Sequence, residues 1–489
     1  MRPTFMGLET AKRGLMVNQK AMDIVGNNLS NLDTKGYTRQ RLDTVSVQVY
    51  GTDRFNHSSV PLAGQGVDAR GVSQIRNPYL DSKFRQQYSE VGYYDQKAAI
   101  MEQVEAVLSD PEVDGSGIMD ALTELSQALA DFSSTPDGET HANIVMNAFK
   151  SVTQILNEYD NNLKTVISQT KDDLASAVDE INTSLAQLSE LNRTIAHEVF
   201  VNDDYDGVNY GPNDLLDQRN LILDDLSRYG KVEVVSLDEG KIQVKLDGKV
   251  VVDSMGGSYT CDTLRLGNDG TSLSWASDGK STNLGKGAIA GFLETLTGDN
   301  AISPGIPYYQ RQLDNFAKSF ANTFNNIVHD DESPFPDKYK VLLEGDVSGE
   351  ITAGSISISS KWADDPSYVI RKNNPDGSGD NTDISDMKKA LVKDFDFGGE
   401  FSGTFSEFVT FYTGTLGSNA KTNSGRLETA LAMADSIDSD RMGVSGVSLN
   451  EEGINMMTYN KAYQAIGRLM TTMDEQLDMI INQMGLVGR

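Results

Sequence analysis

The sequence predicts a mainly α-helical chain carrying an inserted α+β, β-rich domain, and three observations carry that expectation. The first is periodicity at both ends. Met456, Tyr459, Tyr463, Ile466, Met470, Met473, Leu477, Ile480, Met484 and Val487 recur at alternating gaps of three and four, the spacing of a coiled-coil seam. Leu8, Ala11, Leu15, Asn18, Met22, Val25, Leu29 and Leu32 repeat it near the start. The second is a stretch from Thr140 to Val199 without proline or glycine, long enough for a helical rod of roughly 90 Å. The third is strand-like alternation between residues 231 and 276.

The terminal seam spans roughly 48 Å as a helix, and so narrow an apolar stripe asks for a partner helix rather than a globular core. Matched periods at the two ends predict that the chain begins and ends in one helical bundle, with Asn18 placed to fix register as a buried amide can. Periodicity alone leaves a second arrangement open, in which both helices sit inside one ordinary monomeric core.

Between the ends, Gly26-Asn27-Asn28 weakens the first helix and Asp33 to Tyr37 forms a turn. Residues 38–76 read as extended, and helix resumes at Pro78. A break from Asp110 to Gly117 precedes a short helix through Ile118, Leu122, Leu125, Leu129 and Phe132. After the rod, Asn202 to Asn213 is an acidic loop and Asp214 to Arg228 an amphipathic helix. Asp247-Gly248 is the turn of a hairpin in the β module. Pro307 to Val328 reads as helix, Ile356 to Ser359 as a short strand and Asn373 to Asp383 as a surface loop. From Phe405 the chain is helical again, with a hinge at Gly443 to Gly446 before the terminal seam.

Length and composition set bounds. The 489 residues suffice for two to four domains. Formal charge is −29, which argues against nucleic-acid binding because phosphates would be repelled. The acidity is uneven: residues 1–54 hold eight Lys/Arg against five Asp/Glu. No apolar run has transmembrane length, and the first residues lack the apolar core of a cleaved signal peptide. The expectation is a chain that stays in the cytoplasm or leaves by a route without such a mark. Cys261 is the single cysteine, so no intrachain disulfide and no cysteine-rich metal site can form.

Catalytic chemistry finds little support. His57, His141, His197 and His329 show no metal-binding spacing, and no phosphate-binding glycine loop or nucleophile elbow occurs. Asn202, Asp204 and Asp206-Gly207 match the opening of a calcium loop, but position twelve is Asn213 where a bidentate Glu belongs. A plain acidic turn is the favoured reading. The six methionines between 456 and 484 read as adaptable seam packing rather than a cofactor box. No cofactor and no metal are expected.

Several motifs carry a family likeness. Asp23-Ile-Val-Gly-Asn-Asn-Leu-Ser-Asn31 with Thr34-Lys-Gly-Tyr37 resembles the N-terminal signature of bacterial flagellar rod, hook and hook-associated proteins. Ser445-Gly-Val-Ser-Leu-Asn-Glu-Glu-Gly453, continuing through Tyr459, Ala462 to Ala465 and Met473-Asp-Glu475, resembles the matching C-terminal signature. Asn213-Asp-Leu-Leu-Asp-Gln-Arg219 is similar to a motif of the flagellar hook-associated protein 1 family, as are Gly287 to Glu294 and Tyr309 to His329. Gly26 and Gly453 depart from the usual signatures, and Gly453 leaves the start of the last helix open.

The resemblance implies a flagellin-like architecture and a non-enzymatic subunit of the hook–filament junction, outside the cell. It implies export through the flagellar type III pathway, a chaperone on the C-terminal helix, self-assembly into a helical ring, and contact with the hook protein and the second junction protein. The expected layers are 1–40 with 450–489 as the terminal assembly domain, 41–200 with 404–449 as a helical rod, and 201–403 as the outer mixed α/β domain. Leu8, Leu15, Met22, Val25, Leu29, Leu32, Met456, Tyr459, Tyr463, Ile466, Met470, Met473, Leu477, Ile480 and Met484 are the expected assembly surface. The alternatives are another rod or hook subunit, a carrier of an outer carbohydrate-binding or enzymatic module, and a cytoplasmic coiled-coil scaffold.

Overall fold

The structure is a computed structural model that describes residues 4–47, 66–108, 117–136, 138–201, 211–330, 338–346, 349–371 and 380–483. His57, the calcium-like residues Asn202 to Gly207, Met484 and Val487 lie outside that range. In chain order the described elements begin with helix α1 (Thr4–Ser30), strands β1 (Gln40–Ser46) and β2 (Val67–Gln74), and helices α2 (Pro78–Leu108), α3 (Ile118–Ser134), α4 (Glu139–Val201) and α5 (Asn213–Tyr229). Strands β3 (Val232–Ser236), β4 (Ile242–Leu246), β5 (Lys249–Asp253), β6 (Thr260–Cys261), β7 (Leu264–Leu266) and β8 (Leu273–Trp275) follow. Then come α6 (Ala288–Thr297), α7 (Ile306–Phe324), β9 (Leu343–Glu344), β10 (Ser357–Ile358), α8 (Ser360–Asp364), α9 (Thr382–Leu391), β11 (Phe395–Asp396), β12 (Ser402–Gly403), α10 (Phe405–Ser445) and α11 (Leu449–Asp478).

The chain forms two compact units. One joins residues 1–89, 180–263 and 431–489, and the other joins 90–179 and 264–430. In the first unit α1 lies on the antiparallel β1–β2 ribbon, where Ile24, Ala69 and Val72 pack together with Val17 and Leu42. Strands β3 to β6 form an antiparallel sheet in sequential order. Its β4–β5 turn is Asp247-Gly248, both at positive φ (49° and 84°), as a two-residue hairpin with type I′ geometry requires. Beneath that sheet Asn192 of α4 is fully buried, donating to the Ile242 carbonyl and the Ser254 hydroxyl.

The second unit is held by an aromatic core. Phe149 of α4 meets Phe320, Phe324 and Trp362. Phe405 of α10 packs on Phe316, Phe320, Phe324 and Phe397. Edge and offset contacts of this kind add to the area the rings bury.

Most expected elements stand where the sequence put them, including one unbroken α4. The mainly α fold with inserted antiparallel sheets is as expected. Three points differ. Helix α1 runs through Gly26-Asn27-Asn28 to Ser30, because Ser30 Oγ donates to the Gly26 carbonyl and Asn31 Nδ2 to that of Asn27. Helix α7 stops at Phe324, where Asn325 turns its side chain to the Leu342, Leu343 backbone. Helices α6, α8 and α9 are not among the expected elements; in α6 eight of the ten residues are buried, and its polar edge is reduced to Glu294 and Thr297.

Candidate assembly interface

The two chain ends pair with each other. Small residues on α1 allow the approach: a Cβ added at Gly7 would stand 2.7 Å from Met473 Cε, and one at Gly14 would stand 2.9 Å from Ile466 Cδ1. Further along, Asn28 Nδ2 donates to Glu452 at 3.2 Å. These three contacts keep one antiparallel register, because each step forward along α1 is matched by an equal step back along α11. That is the signature of a coiled-coil pair.

A polar clamp closes one end of this pair. Glu452 is 2% exposed and is held by Arg39 Nε at 2.8 Å as well as by Asn28. The other arginine arm reaches the exposed Glu451 at 2.6 Å, and the Arg39 amide donates to the Ser445 carbonyl. Asn28 also bonds both backbone groups of Gln40 and accepts from the Tyr37 hydroxyl. Burial first, then the charges of Asp217 and Glu452, push the Tyr37 phenol up to about 12. At the start of α11 Ser448 accepts from the Glu451 amide, an N-cap that sets the helix start at Leu449 and answers the question Gly453 raised.

The internal motif fastens onto the same place. Asp217 takes the Thr38 amide and hydroxyl together with Gln74 Nε2, and Asn213 receives Gln74 through its carbonyl. Burial raises the Asp217 carboxyl above its ordinary value against the pull of those Thr38 bonds. Arg219 donates to the Gly240 carbonyl at 2.7 Å and to Asn192, and burial, then Arg85 and Arg76, lower its guanidinium to about 10. Asp224 pairs Arg85 at 2.7 Å and also binds Arg441 of α10. A cleft of about 380 Å³ lies beside these residues, lined by the 33–38 turn, α5 and the end of α10.

The structure distributes the expected interface residues unevenly. Val25 is buried; Leu8, Leu15, Met22 and Leu29 are half-buried and Leu32 is exposed. The row turned to α11 includes Gly7 and Gly14, which a search for large apolar residues passes over. Asn18 does not fix register: its amide donates to the Gly14 carbonyl of its own helix. On α11, Tyr459, Ile466, Met470, Met473 and Leu477 are half-buried, while Met456, Tyr463 and Ile480 are exposed. Ile454, Met457 and Leu469, which the seam did not include, are also open to solvent at 60%, 59% and 48%. Among the described residues no group of three His, Cys, Asp or Glu could hold a metal, and no helix is long and apolar enough to cross a membrane.

Comparison with known proteins bears on what this joint belongs to. Residues 101–331 match the family described as flagellar hook-associated protein FlgK helical domain. Residues 8–38 match flagella basal body rod protein, and 439–484 match the C-terminal region of flagellar basal body rod FlgEFG proteins. Flagellar hook-associated protein 1 of Bacillus subtilis is 30% identical over 538 aligned positions that cover all of both chains. The chain belongs to the flagellar hook-associated protein 1 family. It is thus a structural subunit of the flagellum at the hook–filament junction.

The Salmonella typhimurium hook-associated protein 1 is 27% identical over 234 residues, covering 47% of this chain and 39% of its own. A solved structure, the flagellar hook junction protein FlgK from Burkholderia pseudomallei, is similar with a TM-score of 0.44 and 20% identity over 54% of this chain and 47% of that one. In this chain the two terminal signatures meet at the Asn28–Glu452 bond, and Asp217 of the Asn213–Arg219 motif holds Thr38, the residue that follows the N-terminal signature.

Proposed function

We propose that the chain assembles through its terminal helix pair, whose uncovered apolar side is closed by other copies of the chain in a helical layer. The supporting observation is the burial of α11. Over Leu449–Asp478 the one buried side chain is Glu452, while Ile454, Met457 and Leu469 face water. Apolar surface of that extent invites association, and head-to-tail repetition of one contact gives an open helical array. The innermost layer is 1–40 with 450–489. Before assembly the chain passes through the type III export route with a chaperone over the C-terminal helix. In place it meets the hook protein on one side and the second junction protein on the other, with no catalytic role.

The test is a charge on the uncovered side. Ile454→Asp and Leu469→Asp alter exposed positions and leave the intrachain pair intact, whereas Ile466→Asp and Leu477→Asp also disturb it. All four are expected in culture supernatant as folded chains and absent from sheared flagella. Recovery of Ile454→Asp and Leu469→Asp at the junction at wild-type level refutes the proposal.

A further inference from the structure

We propose that Met473 is a modification site, the oxidation-sensitive contact of the α1–α11 joint, and that hydrogen peroxide opens the joint there. The Met473 Sδ lies 3.0 Å, and its Cε 2.7 Å, from where a Cβ on Gly7 would stand. The thioether therefore rests against the backbone of α1 and fills the notch that glycine leaves. The residue is half-buried, so part of it is open to solvent while the packing is in place.

The consequence of oxidation depends on position. Every hydrogen bond described above between the chain ends lies at the Asn28–Glu452 end of the joint. Met473 lies three heptads from Glu452, where apolar packing against α1 holds the helices together. In the reaction the sulfur attacks the peroxide, the O–O bond breaks, an S=O bond forms and one water leaves. The thioether sulfur is oxidised and the peroxide reduced. The product is a polar sulfoxide with an added oxygen, in a notch that a thioether already fills. The clamp at Glu452 is untouched, so the joint opens from one end.

Met457 and Met479, exposed at 59% and 56%, are internal controls, since oxidation there disturbs no described packing. The full-length chain and a Met473→Leu variant are treated with graded hydrogen peroxide. Sulfoxides are located by mass spectrometry, and amide exchange is followed over Gly7 to Leu15. Wild type is expected to lose protection there about tenfold in step with Met473 oxidation, while Met473→Leu stays within about twofold although Met457 and Met479 oxidise equally. The proposal is overturned if Met473→Leu loosens as wild type does, or if oxidised wild type stays protected. It is overturned equally if the reduced wild type shows no protection over those residues.

Discussion

Glu451 and Glu452 are adjacent and identical in type, yet the structure assigns them unequal weight. Glu452 is 2% exposed and bonded to Arg39 and Asn28, whereas the Glu451 side chain is 61% exposed. Breaking a buried pair by removing one partner costs about 3–5 kcal/mol. Arg39 is 18% exposed and keeps Glu451 at 2.6 Å, which reduces the penalty for Glu452→Ala to about 2–3 kcal/mol. That is about a 30- to 150-fold shift in the closing of α11 onto α1. Glu451→Ala removes an exposed pair worth about 0–1 kcal/mol. Native-state amide exchange over residues 452–466 reads both. Equal loss of protection in the two variants, or less than about a threefold loss in Glu452→Ala, would sink the clamp as described.

Further outcomes follow from the same geometry. Gly14→Ala is expected to lie within about 1 kcal/mol of wild type, because its gain in helix propensity offsets a shift of the flexible Ile466 tip; Gly14→Phe separates the helices, read as lost protection in both. Phe405→Ala removes a side chain that is 1% exposed at the centre of the aromatic core and is expected to cost about 3–5 kcal/mol in denaturant unfolding of the second unit. The Tyr37 phenol, raised from 10 to about 12, contributes stability that is full below pH 10 and lost as pH rises through about 12. Accordingly, Tyr37→Phe is expected to remove one phenolate absorbance step near pH 12 and to flatten the alkaline fall in stability. An unchanged ultraviolet titration above pH 11 counts against that burial.

Much of this fold was legible because long helices and alternating strands leave strong periods. The span of α4, the 247–248 turn and the opening of α10 follow from local chemistry. Helix α6 was not legible: in a ten-residue run with eight residues buried, a polar edge of Glu294 and Thr297 is too short to set a phase. The joint was legible in part. Heptad spacing brings Ile466 and Met473 to the seam, but pattern matching weighs large apolar residues. The partners of those two are Gly7 and Gly14, whose contribution is the absence of a side chain. Likewise the role of Asp217 depends on Thr38 and Gln74, and neither neighbour in space is near it in sequence. Asn18 bonds its own helix whereas Asn28 reaches Glu452, and only the turn that returns Gln40 to Asn28 distinguishes the two amides.

The ties at Thr38–Asp217 and Asn28–Glu452 span 179 and 424 residues of chain. Contacts so distant cannot form until the far partner exists in the same space, and they close late. A chain emerging from its N-terminus first therefore holds half a hinge and no latch until its final helix arrives. A chain without α11 leaves Asn28 and Arg39 without their Glu452 partner and the Gly7 and Gly14 notches empty.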